Sequence, residues 1–162
     1  MGYTVRNAGL GDMVRICEIY SIARRFMART GNPNQWGDQY PPVDMVKRDI
    51  LDGNLYVLAA GAEIHGVFYF RIGDDPAYSV IYEGKWHSDA PYGTIHRIAG
   101  DGSGGILKAA VAFAGTQISH IRIDTHEDNK VMQRALEKQG FRCCGIIHIE
   151  DGTPRTAYDR LV

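Results

Sequence analysis

Two hydrophobic periods alternate along this chain. Between residues 10 and 27, Met13, Ile16, Cys17, Tyr20, Ala23 and Met27 recur at three- and four-residue steps, the spacing of one face of a helix. Asp12 near its start and Arg24, Arg25 and Arg29 near its end complement the helix dipole. A shorter helix is predicted over 43–51, and a short strand over 3–6. Segments 55–60 and 64–72 are rich in Val, Ile, Phe and Tyr and are joined by Gly61-Ala62-Glu63, which predicts an antiparallel hairpin. A strand over 92–99 is followed by a nearly continuous apolar run, 106–114, that reads as a buried helix. Residues 119–125 alternate Ile121 and Ile123 against His120, Arg122 and Asp124, the two-residue period of a strand. Val131, Met132, Ala135 and Leu136 return to the helical period, with Thr125 or Asp128 as cap and Gly140 as stop. Strands over 141–149 and 155–161, joined by the turn 150–153, close the chain as a second hairpin. Residues 78–82 fit neither period, and 30–42 and 73–91 hold the longest loops.

The resulting order, β-α-α-β-β-β-α-β-α-β-β, has an antiparallel first half and a β-α-β-α-β passage that requires some parallel pairing. It predicts one α+β (mixed α/β) domain over residues 1–162, with a central twisted mixed sheet of about seven strands and about four flanking helices. A chain of 162 residues is long enough to bury a core of its own without disulfides or metals. Apolar content of 44% and charged content of 23% are those of a soluble globular protein. A net charge of -1 offers no general attraction to nucleic acid or membranes. Cys17, Cys143 and Cys144 match neither a disulfide framework nor a zinc-ligand spacing, so no metal is expected and the thiols read as reduced. With no signal-type apolar region near the start and no long apolar run, a cytoplasmic location is expected.

The chemistry concentrates at Gly100-Asp101-Gly102-Ser103-Gly104-Gly105, between the 92–99 strand and the apolar helix. Such a loop frees the backbone to turn, and the helix start behind it presents unpartnered N–H groups to an anion. Two cofactors fit the spacing. Gly100-x-Gly102-x-x-Gly105, with Asp124 about 20 residues on, satisfies the dinucleotide fingerprint, but no second nucleotide-binding half follows. Alternatively, Gly102-x-Gly104-x-x-Leu107, then an apolar helix, a strand, Asn129 and Lys138-Gln139-Gly140-Phe141, resembles the GCN5-related N-acetyltransferase (GNAT) family. The element order matches that family's along essentially the whole chain. The chain departs from it in two places. Ala99 stands at the loop's usual Gln/Arg position, and Leu136 stands where many members carry the tyrosine that protonates the leaving thiolate.

The resemblance implies an acyl-CoA N-acyltransferase-like fold and direct transfer of acetyl from acetyl-CoA to a primary amine of a small acceptor. It allows a homodimer. Backbone groups of Gly102, Ser103, Gly104 and Gly105 would hold the pyrophosphate. Main-chain groups of His96, Arg97 and Ile98 would pair with the pantetheine arm in a splay between the 92–99 and 119–125 strands, and Asn129 would add a polar contact. Asp101 must then turn its side chain away from the phosphates. Candidates for proton transfer are His96, Asp124 and His126, with Tyr158 as a candidate acid. Gln35, Trp36, Tyr40 and Glu83, with Trp86 and His87 nearby, form an aromatic region with one acid, suited to a cationic amine. The same tryptophans could equally anchor long loops. Two rival functions stay open on the sequence: a small NAD(P)-binding protein, and a non-catalytic acyl-CoA-binding regulatory module.

Overall fold

The sheet that organises the chain has seven strands in the order β1-β2-β3-β4-β5-β7-β6. The strands are β1 (Thr4–Asn7), β2 (Leu55–Ala60), β3 (Glu63–Ile72), β4 (Gly93–Gly100), β5 (His120–Thr125), β6 (Arg142–His148) and β7 (Pro154–Leu161). Four helices interleave with them: α1 (Met13–Arg29), α2 (Val43–Leu51), α3 (Ile106–Gln117) and α4 (Lys130–Lys138). These elements come from a computed structural model that describes residues 2–161. Met1 and Val162, the ends of the expected domain, lie outside the described residues. Both predicted hairpins form, and β7 returns between β5 and β6. The ambiguous stretch near 78–82 is a short 3₁₀ turn, Pro76–Tyr78, followed by a single bridge from Tyr82 to Ile146.

Both faces of the sheet are covered, which explains why β2 and β3 are apolar runs rather than alternating ones. On one face Ile16, Ile19 and Tyr20 of α1 and Val46 and Ile50 of α2 pack on Leu55, Val57 and Val67. On the other, Ala110, Val111 and Ala114 of α3 and Leu136 of α4 pack on Leu58, Phe68, Ile95, Ile121 and Ile123. A third cluster, Tyr78, Tyr92, Ile147 and Ala157, seats the 73–91 region against β6 and β7.

The start of α3 is set by two glycines facing each other across β3 and β4. Gly66 pairs with Gly100. A Cβ on either would come within 2.7 Å of the Ile106 side chain. Their bareness lets Ile106 drop onto the sheet and draws the helix N-terminus down to the end of β4. Gly100→Ala should therefore destabilise the fold by about 1–3 kcal/mol through overpacking. Combined with Ile106→Ala it should cost less than the sum of the two single changes. Urea denaturation of the three variants measures both quantities, and strict additivity would contradict this packing.

Candidate active site

The one parallel pair among the described residues, β4 and β5, is joined at only two positions, Gly93 with Ile121 and Thr94 with Arg122. Beyond them the strands part. On its other edge, β4 gains one residue against β3, since Tyr69 pairs with His96 while Val67 pairs with Ala99. The extra residue is accommodated at Arg97, whose φ of 49° is left-handed and costs of order 1–3 kcal/mol for a residue with a side chain. Its neighbours hold it there. Asp49 accepts two hydrogen bonds from the guanidinium, at 2.9 and 3.0 Å, and the guanidinium carbon lies 4.4 Å over the Tyr69 ring. Tyr20 Oη donates to the Arg97 carbonyl at 2.9 Å. Of the Arg97 groups expected beside a cofactor, the carbonyl is bound by α1, and the side chain is held by α2.

The parting opens a cleft of about 760 Å³ that runs between the two strands. Trp36, Tyr40 and Met45 line one end, His96, Ile98, Ile123 and Asp124 the walls, and Asn129 and Met132 the start of α4. Trp36 is held edge-on to Tyr20 with centroids 5.7 Å apart. The same ring therefore lines the cleft and anchors its loop. Gln35 also lines the cleft, but its Oε1 is shared by amide donors from Asn32 at 2.9 Å and Asn129 at 3.0 Å. Asn129 caps α4 through the Met132 N–H. These two residues tie the 30–42 loop to the start of α4, a structural duty that spacing alone did not reveal.

His96 is the centre of the polar wall. Its Nε2 lies 2.7 Å from Asp75 Oδ2, and its Nδ1 lies 3.9 Å from Asp124 Oδ2. Tyr78 Oη donates to that same Asp124 oxygen at 2.6 Å. Burial alone would raise the Asp75 pKa, but the His96 hydrogen bond and charge outweigh it and hold the carboxyl below its ordinary value. Burial, with Asp124 beside it, pushes the Tyr78 phenol well up, so it stays a donor. An ionised Asp75 accepts from the Nε2–H, and Nδ1 is the ring nitrogen on the Asp124 side. Asp75 and Tyr78 were missed from sequence. The only local signal was Asp75 before Pro76, which reads as the turn start it also is, its Oδ1 accepting from the Ala77 N–H.

In the glycine loop, Gly102, Gly104 and Gly105 have φ of 97°, 87° and 74°, the conformation that glycine alone adopts freely. Among the described residues the N–H groups of Gly104, Gly105 and Ile106 take no partner. A Cβ at Gly102 or Gly104 would meet nothing within 4 Å, so the loop is open on that side. Ser103 is a correction, because its N–H is bound 3.0 Å from Asp101 Oδ1. Asp101 turns away from the open side, as expected. Its Oδ2 lies 2.8 Å from both Arg15 Nη2 and His65 Nδ1. Tyr3 Oη donates to the Gly104 carbonyl at 2.6 Å, fixing the loop's far end.

Other expectations need correcting. Tyr158 is buried with Ile123, Leu136 and Phe141 beneath α3 and α4, its phenol pushed up to about 12 by burial first and by Cys143 and Glu137 nearby. It lines no part of the cleft, being packed into the cluster under α3 and α4. His126 accepts from the Asp128 N–H at 3.0 Å and shapes the turn into α4 rather than facing the cleft. Glu83 is exposed at φ 58° in a loop drawn to β6 by the Tyr82–Ile146 bridge, away from the acceptor end. Trp86 and His87 lie in the same loop, also outside the cleft lining. Leu136 is fully buried among apolar neighbours, so no acid replaces the missing tyrosine at that point. The dinucleotide reading also falls: the strand beside β5 is the antiparallel β7, and Asp124 is engaged by Tyr78 inside the cleft.

No protein-family model matches this sequence, and neither does any curated protein. Solved structures do match. A GNAT-family acetyltransferase from Streptococcus agalactiae 2603 shares 30% identity and a TM-score of 0.88, over 99% of this chain and 95% of that one. A GNAT-family acetyltransferase from Listeria monocytogenes 4b F2365 shares the fold at 20% identity and a TM-score of 0.71, over 99% and 95% of the two chains. A ribosomal-protein-alanine N-acetyltransferase from Brucella melitensis shares it at 15% identity and a TM-score of 0.65, over 98% and 99%. With the parted β4 and β5, the bulge and the glycine loop at α3, the chain belongs to the GNAT family of acetyltransferases. Among the described residues no helix is long and apolar enough to cross a membrane.

Asp101 supplies a direct check on the loop. Burial would raise its pKa, but bonds from Ser103 and His65 outweigh that and lower it from 3.8 to about 2. A depressed carboxyl contributes stability that is present above its unfolded pKa and is lost as pH falls through the folded one. Asp101→Asn should lose roughly 1–2 kcal/mol at pH 7, and the difference from wild type should shrink between pH 3.8 and about 2. Urea denaturation at a series of pH values reads this. A difference that does not change with pH would rule out the assigned role.

Proposed function

We propose that the protein transfers acetyl directly from acetyl-CoA to a primary amine of a small, cationic acceptor. The observation that carries this reading is His96, held by Asp75 at one ring nitrogen and facing Asp124 with the other, on the wall of the cleft between β4 and β5. Asp75, Asp124, Glu150 and Asp151 line the same cleft as Trp36 and Tyr40. Arg155 and the Asp49-paired Arg97 also line it, which leaves the carboxylates in excess, and with the aromatic faces that combination favours a cation. The reading treats residues 1–162 as one catalytic domain, working in the cytoplasm.

The chain offers what acetyl-CoA needs. The N–H groups of Gly104, Gly105 and Ile106, at the positive end of α3, would hold the pyrophosphate. The edge of β4 that lacks a β5 partner after Thr94 would pair with the pantetheine arm, and the backbone N–H near Ile98 would polarise the thioester carbonyl. When bound, acetyl-CoA supplies an acyl group on a good leaving thiolate.

The protein's own part is proton handling. Asp124 draws the ammonium form of the acceptor to the wall. His96 Nδ1 takes the proton that the amine must lose, and Asp75 and Asp124 stabilise the imidazolium so formed. The neutral amine nitrogen then bonds to the carbonyl carbon, the carbon–sulfur bond breaks, and the nitrogen gives its second proton to water, so that the amide is released neutral. With Leu136 where an acid would stand, the departing thiolate takes its proton from water.

Thiol release from acetyl-CoA across an amine panel tests this. His96→Gln should lower kcat by roughly 10²–10⁴-fold, while stabilisation by acetyl-CoA in thermal unfolding is retained. Asp75→Asn should lower kcat less and shift its dependence on pH. A His96→Gln enzyme as active as wild type would eliminate the proposed base. Binding of acetyl-CoA without thiol release for any amine would instead favour the regulatory module.

A further inference from the structure

A second polar cluster lies outside the cleft, where the 79–92 loop packs on β5, β6 and β7. His87 Nδ1 is 2.6 Å from Asp159 Oδ1 and 3.3 Å from Cys144 Sγ. One ligand-type atom from each of His87, Cys144 and Asp159 lies within 4.8 Å of the others. His120 Nε2 is 3.1 Å from the other Asp159 oxygen, and its Nδ1 is 3.1 Å from the Ala90 carbonyl. Asp159, Cys144 and His120 are 2%, 6% and 0% exposed. The His87 side chain, at 25%, reaches solvent. None of the four lines the cleft.

The cluster is not a nucleophilic triad. Such a relay uses both ring nitrogens of the histidine, one toward the nucleophile and one toward the carboxylate. Here the same atom, His87 Nδ1, faces both Cys144 and Asp159.

We propose that His87 Nδ1, Cys144 Sγ and Asp159 Oδ1 form a zinc site, completed by water on the exposed side of His87. One nitrogen, one thiolate and one carboxylate oxygen are a donor set that suits Zn²⁺. Tetrahedral bonds of about 2.0–2.3 Å place ligand atoms roughly 3.3–3.7 Å apart. The Cys144–His87 separation already fits. His87, the most exposed of the three, would withdraw from Asp159 by about 0.7 Å, and Cys144 and Asp159, whose ligand atoms lie within 4.8 Å, would close to the same range.

The surroundings add an independent argument. Ligating side chains are normally oriented by hydrogen bonds from a further layer of residues. His120 stands in that layer, its Nε2 3.1 Å from the other oxygen of Asp159, which also accepts the His87 backbone N–H at 2.9 Å, and its Nδ1 donates to the Ala90 carbonyl. The loop that carries His87 is also rigidly seated. A Cβ on Gly84 would stand 1.9 Å from the Cys144 carbonyl, and one on Gly145 2.5 Å from that of Tyr82. The ligands come from a loop and two strands far apart in sequence, which is why no cysteine spacing announced them.

On binding, the metal replaces the Cys144 thiol proton, and the His87 proton moves from Nδ1 to Nε2, so one proton is released per ion. The site would clamp the 79–92 loop to the β6–β7 hairpin and has no part in acyl transfer.

The test uses the full chain, stripped with a chelator and titrated with Co²⁺ as a spectroscopic probe. A single equivalent should bind with a thiolate-to-cobalt charge-transfer band in the near ultraviolet, and Zn²⁺ should displace it. Cys144→Ser should abolish the band, whereas Cys143→Ser and Cys17→Ser should keep it. His120→Gln should weaken Zn²⁺ binding by roughly 10–100-fold. If Cys144→Ser does not fold, retention of the band in both other variants still assigns it to Cys144. No saturable binding by wild type, or a band lost with Cys143 or Cys17, overturns the proposal.

Discussion

The early parting of β4 from β5 is the constraint on which the rest of the molecule depends. Two paired positions hold the strands together, and every later backbone group on that edge of β4 is left without a strand partner. Unpaired backbone in a protein interior is costly unless something else satisfies it. The bulge at Arg97 lies on the same strand just past the parting, where an added residue increases the local twist. The Asp49–Arg97 pair and the Tyr20 hydroxyl then lock the bulge from the α1–α2 side. The opening is therefore built into the sheet by bonds on its far side. It does not rely on a loop that could close.

Several carboxylates share the work of placing groups around that opening, each through a different set of donors. Asp75 orients His96 through Nε2, while Asp101 ties the glycine loop to Arg15 and His65. An acid inside a phosphate-type loop looks unfavourable until its donors are seen. With two of them at 2.8 Å it acts as a strut. Asp159 gathers His87, His120 and Cys144 in the same manner, outside the cleft lining.

The fold was legible because its elements follow their periods. The α1 stripe, the apolar run of α3 and the two hairpins all carry local signals, and element order then limits the topology. The glycine loop was legible for a similar reason: left-handed backbone at Gly102, Gly104 and Gly105 demands that residue. Side-chain partnerships were not. Nothing near Asp75 or Tyr78 in the sequence points to His96, because the contacts cross from a loop to strand interiors. Tyr158 and Asp124 sit on neighbouring strands, yet the pleat sends them to opposite faces, a distinction that depends on a register not yet known. Ser103 and Gln35 look like ligand contacts by type and position. The Ser103 N–H and the Gln35 Oε1 are each bound within the protein itself.

The central claim is that the unpartnered edge of β4 and the N–H groups at the start of α3 receive one acyl donor and bring its thioester to His96. A crystal structure with acetyl-CoA tests it most directly. The account predicts the pyrophosphate on the amides of Gly104, Gly105 and Ile106, the pantetheine along β4 beyond Thr94, and the thioester carbonyl at the backbone near Ile98 with His96 Nδ1 facing the same space. A pyrophosphate bound elsewhere, or a thioester directed away from His96, would contradict it.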